Sequence, residues 1–355
     1  MIGEEELAMV HALQVQPRAT WAELAAVLGC TATTASRRWE QLQESGTAWV
    51  NAVPGPQAAA FVAFVALRCA PGRRQEVAAA LVGDPAAVTV EITAGSHDLL
   101  VEVITPGPGD FTRYLLDRVE RLPGVVGSDV TVATTVVTEA SRWRLDALDP
   151  GQSQALAHET AVPRSAAAGA AAAAARPPAR HLTELDRRLL SELSRDGRMP
   201  WQQLAEHTGT SAATARRRCE RLLAAGEATL RCDVAAPLID RQVTVSLWTR
   251  VPATDLGGVA RALATVPSVR FIATTAGTHN LLVTLWLRSV DEVHRLEVDL
   301  AARCPTLAVL ERTIVLHSAK RMGRVLDADG RSSGTVPMGP WATSAPVRQE
   351  REGVS

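Results

Sequence analysis

Lysine is almost missing from this chain. Lys320 is the only one in 355 residues, and arginine supplies the rest of the positive charge. Together with abundant alanine, this is the bias of a GC-rich genome rather than a functional signal. The five cysteines (Cys30, Cys69, Cys219, Cys232 and Cys304) include no CxxC or CxxH pair. Zinc and redox motifs therefore find no support, and reduced thiols are expected. No apolar run reaches the roughly 18–20 residues of a membrane helix. The opening MIGEEELAMV is acidic, unlike the basic start of a secretory signal. A cytoplasmic protein with no membrane partner is expected. No P-loop, dinucleotide glycine fingerprint or Ser-His-Asp set is present, so no catalytic residue, metal or cofactor is assigned.

A net charge of −1 argues against a protein coated in nucleic acid. It leaves room for a local basic patch, which is what DNA binding requires. With 46% hydrophobic and 21% charged residues, the chain can build sizeable cores. Its length fits two to four domains.

The chain is written twice. WAELAAVLGCTATTASRRWEQL (21–42) and WQQLAEHTGTSAATARRRCERL (201–222) are identical at about half their positions. AGSHDLLVEV (94–103) matches AGTHNLLVTL (276–285), with the offset grown by about two. The period far exceeds the roughly 20–50 residues of solenoid repeats, so a pair of modules has been duplicated. The Ala- and Pro-rich stretch between the halves reads as a linker over 149–180. The stretch 330–355, rich in Gly, Ser, Pro and charge, reads as a disordered tail.

The first module of each half (1–52 and 181–234) reads as a helix-turn-helix. Thr183 and Asp186 form a capping box, and Leu185, Leu189 and Leu193 line one stripe. Glycine at 209 permits the positive φ of the turn. Ser211 caps the third helix, whose Ala215, Cys219 and Leu222 face inward. A short capped helix of this kind enters a major groove. Its candidate DNA contacts are Ser211, Ala213, Thr214, Arg216, Arg217, Arg218 and Arg221. The first half offers Thr31, Thr33, Thr34, Ser36, Arg37 and Arg38, with Glu40 and Glu44 making it less basic. The alternative is a plain three-helix unit with solvated arginines.

The second module (58–145 and 240–325) alternates as strands around two helices in the order βαββαβ, the ferredoxin-like arrangement. Four strands with helices on one face leave the other face apolar. Two such modules in one chain can cover each other. The fold class is α+β, two winged-type helix-turn-helix domains each followed by a ferredoxin-like module.

On these residues the chain resembles the Lrp/AsnC (feast/famine) transcription regulators, in a tandem form. TATTASRRWEQLQESG and SAATARRRCERLLAAG are similar to that family's recognition helix. AGSHDLLV and AGTHNLLV are similar to its effector loop. The resemblance implies double-stranded DNA and a small effector, an amino acid, as partners, and self-association through the ferredoxin-like modules. It implies that Gly95, Ser96, His97 and Asp98, with Gly277, Thr278, His279 and Asn280, line the effector clefts. Asp98 would pair with the ligand ammonium, and turn N–H groups would take its carboxylate. Asn280 lacks the charge, so the two clefts are expected to differ. Turn capping is the alternative role for Asp98 and Asn280.

The leading expectation is a ligand-responsive regulator, not an enzyme, acting as a covalent pseudo-dimer on unequal half-sites. Sirohaem decarboxylases resemble the same two-module design, and THNLLVTLW is faintly similar to their central segment. Their expected Arg-Tyr neighbourhood before Asn280 is missing. A sensor that has lost DNA binding is a third reading.

Overall fold

The capping signals act where the sequence places them. In the computed structural model, which describes residues 2–58, 60–140, 143–158 and 182–341, each half opens with three helices. These are α1 (Glu4–Val15), α2 (Trp21–Leu28) and α3 (Ala32–Glu44) in the first half. The hydroxyl of Thr31 accepts the Thr34 N–H at 3.1 Å, which satisfies an otherwise orphaned donor of α3. Gly29 ends α2 at φ 66°, a left-handed position that turns the chain into α3. Ala35, Trp39 and Leu42 are buried, as their spacing predicts.

Strand β1 (Ala48–Pro54) follows, but it forms no hairpin within its own half. It pairs antiparallel with β6 (Ala228–Val234) of the second half, from Ala48 opposite Val234 to Pro54 opposite Ala228. The core around α1 and α3 takes Cys232 and Val234 from β6. The core of the second helical unit takes Ala52 and Val53 from β1. Neither helical unit therefore completes its core without the other half.

The first βαββαβ module comprises β2 (Phe61–Cys69), α4 (Arg74–Val82), β3 (Ala87–Ala94), β4 (Leu99–Thr105), α5 (Pro108–Arg113) and β5 (Val125–Thr138). Helix α5 runs on into a π-helical turn over Tyr114–Val119, where a single regular helix is expected. The chain then forms α6 (Pro150–His158) before the second set of helices, α7 (Glu184–Arg195), α8 (Trp201–Thr208) and α9 (Ala212–Ala224). The second module repeats the order as β7 (Val243–Arg250), α10 (Leu256–Leu263), β8 (Val269–Ala276), β9 (Leu281–Leu287), α11 (Asp291–Arg303) and β10 (Ala308–Arg321).

Strands β5 and β10 are long, 14 residues each, because each serves both modules. One part of β5 pairs with β2 and the rest with β8. One part of β10 pairs with β7 and the rest with β3. The eight strands close into a ring, which leaves no open edge between the modules. The apolar faces meet inside it. Phe64 stands edge-on to Trp248 and Phe271, with ring centroids 6.0 and 5.9 Å apart.

Two expectations fail at the module ends. The stretch from 330, read as disordered, contributes β12 (Ser332–Thr335) beside β11 (Arg324–Leu326), and Met338 and Trp341 are 1% exposed. The start of the presumed linker forms α6, whose Leu156 joins Leu148 in the first helical core. A few apolar anchors in polar stretches are enough to dock them, and mean composition hides them. The alanine-rich part of the linker, 165–180, lies outside the described residues, as does the end of the tail beyond 341.

Candidate nucleic-acid interface and sensor loops

The third helices, α3 and α9, present matched surfaces. Their caps repeat, since Ser211 accepts the Thr214 N–H at 3.2 Å as Thr31 does for Thr34. Thr33 and Ala213, two residues on, are exposed at equivalent positions. Ser36 donates to Glu40 at 2.9 Å, whereas Arg216 in its place pairs with Glu220 at 2.8 Å. That pair is well exposed, so it holds Arg216 only weakly.

The arginines divide into two kinds. Arg38 is tied to Glu5 of α1. Arg218 and Arg221 converge on Asp186 of α7, at 2.9 and 3.1 Å, and the Asp186 side chain is 4% exposed. Burial alone would raise the Asp186 carboxyl; hydrogen bonds from Thr183 and Arg218 outweigh it and hold it below the usual carboxylate range. These arginines brace the third helix against the first. Arg37 and Arg217 differ. They are exposed, equivalent between the halves, and have no side-chain hydrogen bond or ion pair among the described residues. They are the cations left available to a phosphate or a base edge.

A second pair of arginines sets how the two helical units sit together. Arg18 donates to the carbonyls of Gly197 and Met199 at 2.7 and 2.9 Å and lies 3.7 Å over the Trp201 ring. Arg198 donates to the carbonyls of Pro17 and Ala19, both at 2.8 Å, and lies 4.2 Å over Trp21. Burial lowers both guanidinium pKa values, that of Arg198 to about 10. Sequence reasoning passed over these arginines. The signal was the repeated spacing of Arg18 to Trp21 and Arg198 to Trp201.

The glycine-led loops of the second modules share one backbone shape, with Gly95 at φ 139° and Gly277 at φ 138°. Asp98 and Asn280 brace neighbouring backbone. Asp98 accepts the Cys69 N–H at 2.8 Å and pairs with Arg74. The Cys69 N–H is the main cause of its lowered carboxyl pKa. Asn280 accepts from the Val251 N–H at 2.9 Å and donates to the Val251 carbonyl at 2.7 Å. This is the geometry of turn capping. The Asp98 carboxylate, expected to meet a ligand ammonium, is already engaged.

The remaining loop residues differ between halves. His97 bonds Asp129 of β5 through Nε2 at 2.7 Å and Ser96 through Nδ1 at 2.8 Å. Ser96 in turn reaches Glu311 of β10, so this loop spans both modules. The hydrogen bond from His97 holds the Asp129 carboxyl low. His279 instead lies beside the Trp248 ring at 5.6 Å, and the Thr278 carbonyl accepts from Arg250 at 3.2 Å. An open pocket of about 410 Å³ lies beside Asp98, lined by Cys69, Gly72, Arg74 and Gln75. No helix among the described residues is long and apolar enough to cross a membrane.

Family models match three of the four modules. The AsnC-type helix-turn-helix domain matches twice, at residues 7–43 and 182–223. The Lrp/AsnC ligand binding domain matches residues 62–143. The HTH-type transcriptional regulator FL11 of Pyrococcus furiosus is 28% identical over 136 residues, 38% of this chain and 89% of that protein. The uncharacterized HTH-type transcriptional regulator PF1231 of the same organism is 24% identical over 148 residues, covering 40% and 96%. Over nearly its whole length the chain is similar in fold to the siroheme decarboxylase NirDL in complex with an iron-uroporphyrin III analogue. That match has a TM-score of 0.58 at 13% identity and covers 95% of each chain.

Proposed function

Because the chain belongs to the Lrp/AsnC family of transcriptional regulators, we propose that one chain works as a covalent pseudo-dimer on double-stranded DNA. Helices α3 and α9 take adjacent half-sites of one operator. The observation that carries this reading is the matched pair Arg37 and Arg217, each on a capped third helix and without a side-chain partner among the described residues. The helices differ at Ser36 and Arg216, so the half-sites are unequal. Thr31, Thr33, Thr34, Ser211, Ala213 and Thr214 sit at the groove, with Arg216, held only by an exposed pair to Glu220, supplying further charge. The effector is an amino acid, bound near the loops 95–98 and 277–280. The protein is not an enzyme on this reading, and it works in the cytoplasm.

Fluorescence anisotropy of the purified chain with its own upstream DNA tests this, at two salt concentrations and with each of the twenty amino acids. Tight, salt-sensitive binding shifted by one amino acid is the expected result. Each phosphate contact adds about −0.9 to the log–log salt slope. A tenfold shift by the effector corresponds to about 1.4 kcal/mol of coupling. Binding no tighter than to random DNA across the whole upstream region would sink the proposal. NirDL shares the fold, so the same preparation is titrated with sirohaem; decarboxylation would move the function to the enzyme reading.

A further inference from the structure

Two corners of the ring are equivalent, and they are closed differently. In the first module the corner is built on Pro85 and Ala86, and in the second on Pro267 and Ser268. Matching bonds fix the equivalence: the Ile104 N–H donates to the Ala86 carbonyl, and the Trp286 N–H to the Ser268 carbonyl, both at 2.9 Å.

The first corner is closed by polar contacts and by the chain's own C-terminal segment. Asp84 accepts from Arg118 Nε at 3.0 Å and from the Tyr114 hydroxyl at 2.9 Å. The Gly339 N–H donates to the Pro85 carbonyl at 2.8 Å. A Cβ on Gly339 would lie 2.9 Å from the Ile104 carbonyl oxygen, so the segment lies flat in the corner.

In the second corner Val266, Leu296 and Leu300 stand where Asp84, Tyr114 and Arg118 stand in the first. The Asp84 contacts are gone. Trp143 covers this corner instead, its Nε1–H donating to the Pro267 carbonyl at 3.1 Å and its ring centroid 5.2 Å from that of Trp286. A pocket of about 330 Å³ remains beside it, with Trp286 in its wall. Its rim carries Arg241, Arg288 and Arg303 against Glu292 and Asp299. Arg288 pairs with Asp240 at 3.4 Å. The guanidinium groups of Arg241 and Arg303 make no hydrogen bond or ion pair among the described residues.

We infer that this corner binds a small organic carboxylate with a compact apolar body, one molecule per chain. Two guanidinium groups without a partner among the described residues supply the charge and the forked donors that a carboxylate takes. The leucines, Val266 and Trp286 face the apolar body, and the volume is at the lower end of small-molecule sites. The pocket shares no residue with the loops 95–98 and 277–280, and its occupancy does not depend on the DNA-binding reading.

The test is a ¹⁹F NMR titration of the full chain with 4-fluorobenzoate. Saturable binding at one equivalent per chain is expected, with a Kd of about 1 mM or below. Arg241→Ala combined with Arg303→Ala weakens it at least tenfold. Arg121→Ala, the counterpart of Arg303 at the first corner, leaves it unchanged. 4-Fluorobenzyl alcohol, which has the ring without the charge, binds at least tenfold more weakly. Arg121 and Arg303 are exposed and Arg241 is half-buried, and thermal melts confirm that the variants fold. Absence of saturation, binding that survives the double substitution, two equivalents per chain, or equal binding of the alcohol would each overturn the inference.

Discussion

Arg18 of the first helical unit stacks 3.7 Å over Trp201 of the second, and Arg198 returns the contact over Trp21. Each guanidinium also takes two backbone carbonyls of the opposite unit. The two recognition helices are thus fixed relative to one another by a reciprocal lock rather than left on independent tethers.

Removing one side of the lock has a defined cost. Arg18→Ala leaves the Gly197 and Met199 carbonyls without their donor and uncovers the Trp201 ring. The expected loss is about 1–3 kcal/mol for the unpaired groups, with about 0.5–2 kcal/mol more from the ring contact. Arg18→Lys recovers little, because an ammonium cannot present the same fork. Urea denaturation reads the loss, and an unchanged midpoint in Arg18→Ala would contradict the lock.

Neighbouring arginines on α9 are expected to behave oppositely. Arg217→Ala leaves stability untouched and weakens DNA binding, by about 1–3 kcal/mol if it reads a base edge, or by a uniform loss with a salt slope lower by about 0.9 if it holds a phosphate. Arg218→Ala lowers stability, because Asp186 is buried and loses a charged donor. Paired melting and anisotropy measurements on the two variants separate these roles.

The buried carboxylate Asp233 ties the β1–β6 ribbon to the ring. It pairs with Arg231 at 2.5 Å and with Arg270, which stacks 3.9 Å over Trp286. Burial pulls its carboxyl upward, but Arg231 and Arg270 outweigh that and hold it at about 2. A depressed folded pKa contributes stability that is present above the ordinary carboxylate value and lost only as pH falls toward about 2. Asp233→Asn strands two buried guanidinium groups and is expected to cost about 3–5 kcal/mol at neutral pH. Denaturation of the variant at pH 7 checks the size. The acid limb of the wild-type stability curve checks the sign.

His11 supplies a second pH dependence. Its Nδ1 accepts the N–H groups of Ala147 and Leu148, at 3.2 and 3.0 Å, and so anchors the segment leading into α6. Burial, then Arg144, lowers its pKa from 6.5. The folded state binds the proton less readily than the unfolded one. Stability from this site is therefore full above pH 6.5 and declines as pH falls through the lowered value. Protection of the amides over 145–156, taken relative to the intrinsic exchange rate at each pH, should fall on acidification, and His11→Asn, which keeps an acceptor that does not titrate, should flatten that fall.

Much of this architecture was legible because local signals repeat. Caps, periodicity and the glycine-led hairpins are set by residues close in sequence, and two copies made each easier to see. What escaped was non-local. The pattern shows that Trp201 has a covered face, but not that Arg18, far away in the chain, covers it. Periodicity marks Arg218 as off the core face, but not that Asp186 lies beneath it. Met338 and Trp341 are isolated anchors in a polar stretch, and averaging over composition erased them. At the sensor loops the capping role of Asp98 and Asn280 was an open alternative, because spacing alone does not show whether a side chain meets its own backbone or a ligand.

On the proposed function, both recognition helices of one chain engage one duplex. Hydroxyl-radical footprinting of the operator with the wild type, Arg37→Ala and Arg217→Ala tests it most directly. The predicted result is two adjacent protected half-sites of unequal strength, with each substitution weakening a different one. If Arg217→Ala erased both half-sites while Arg37→Ala erased neither, two chains would each be contributing α9, and the claim would be wrong.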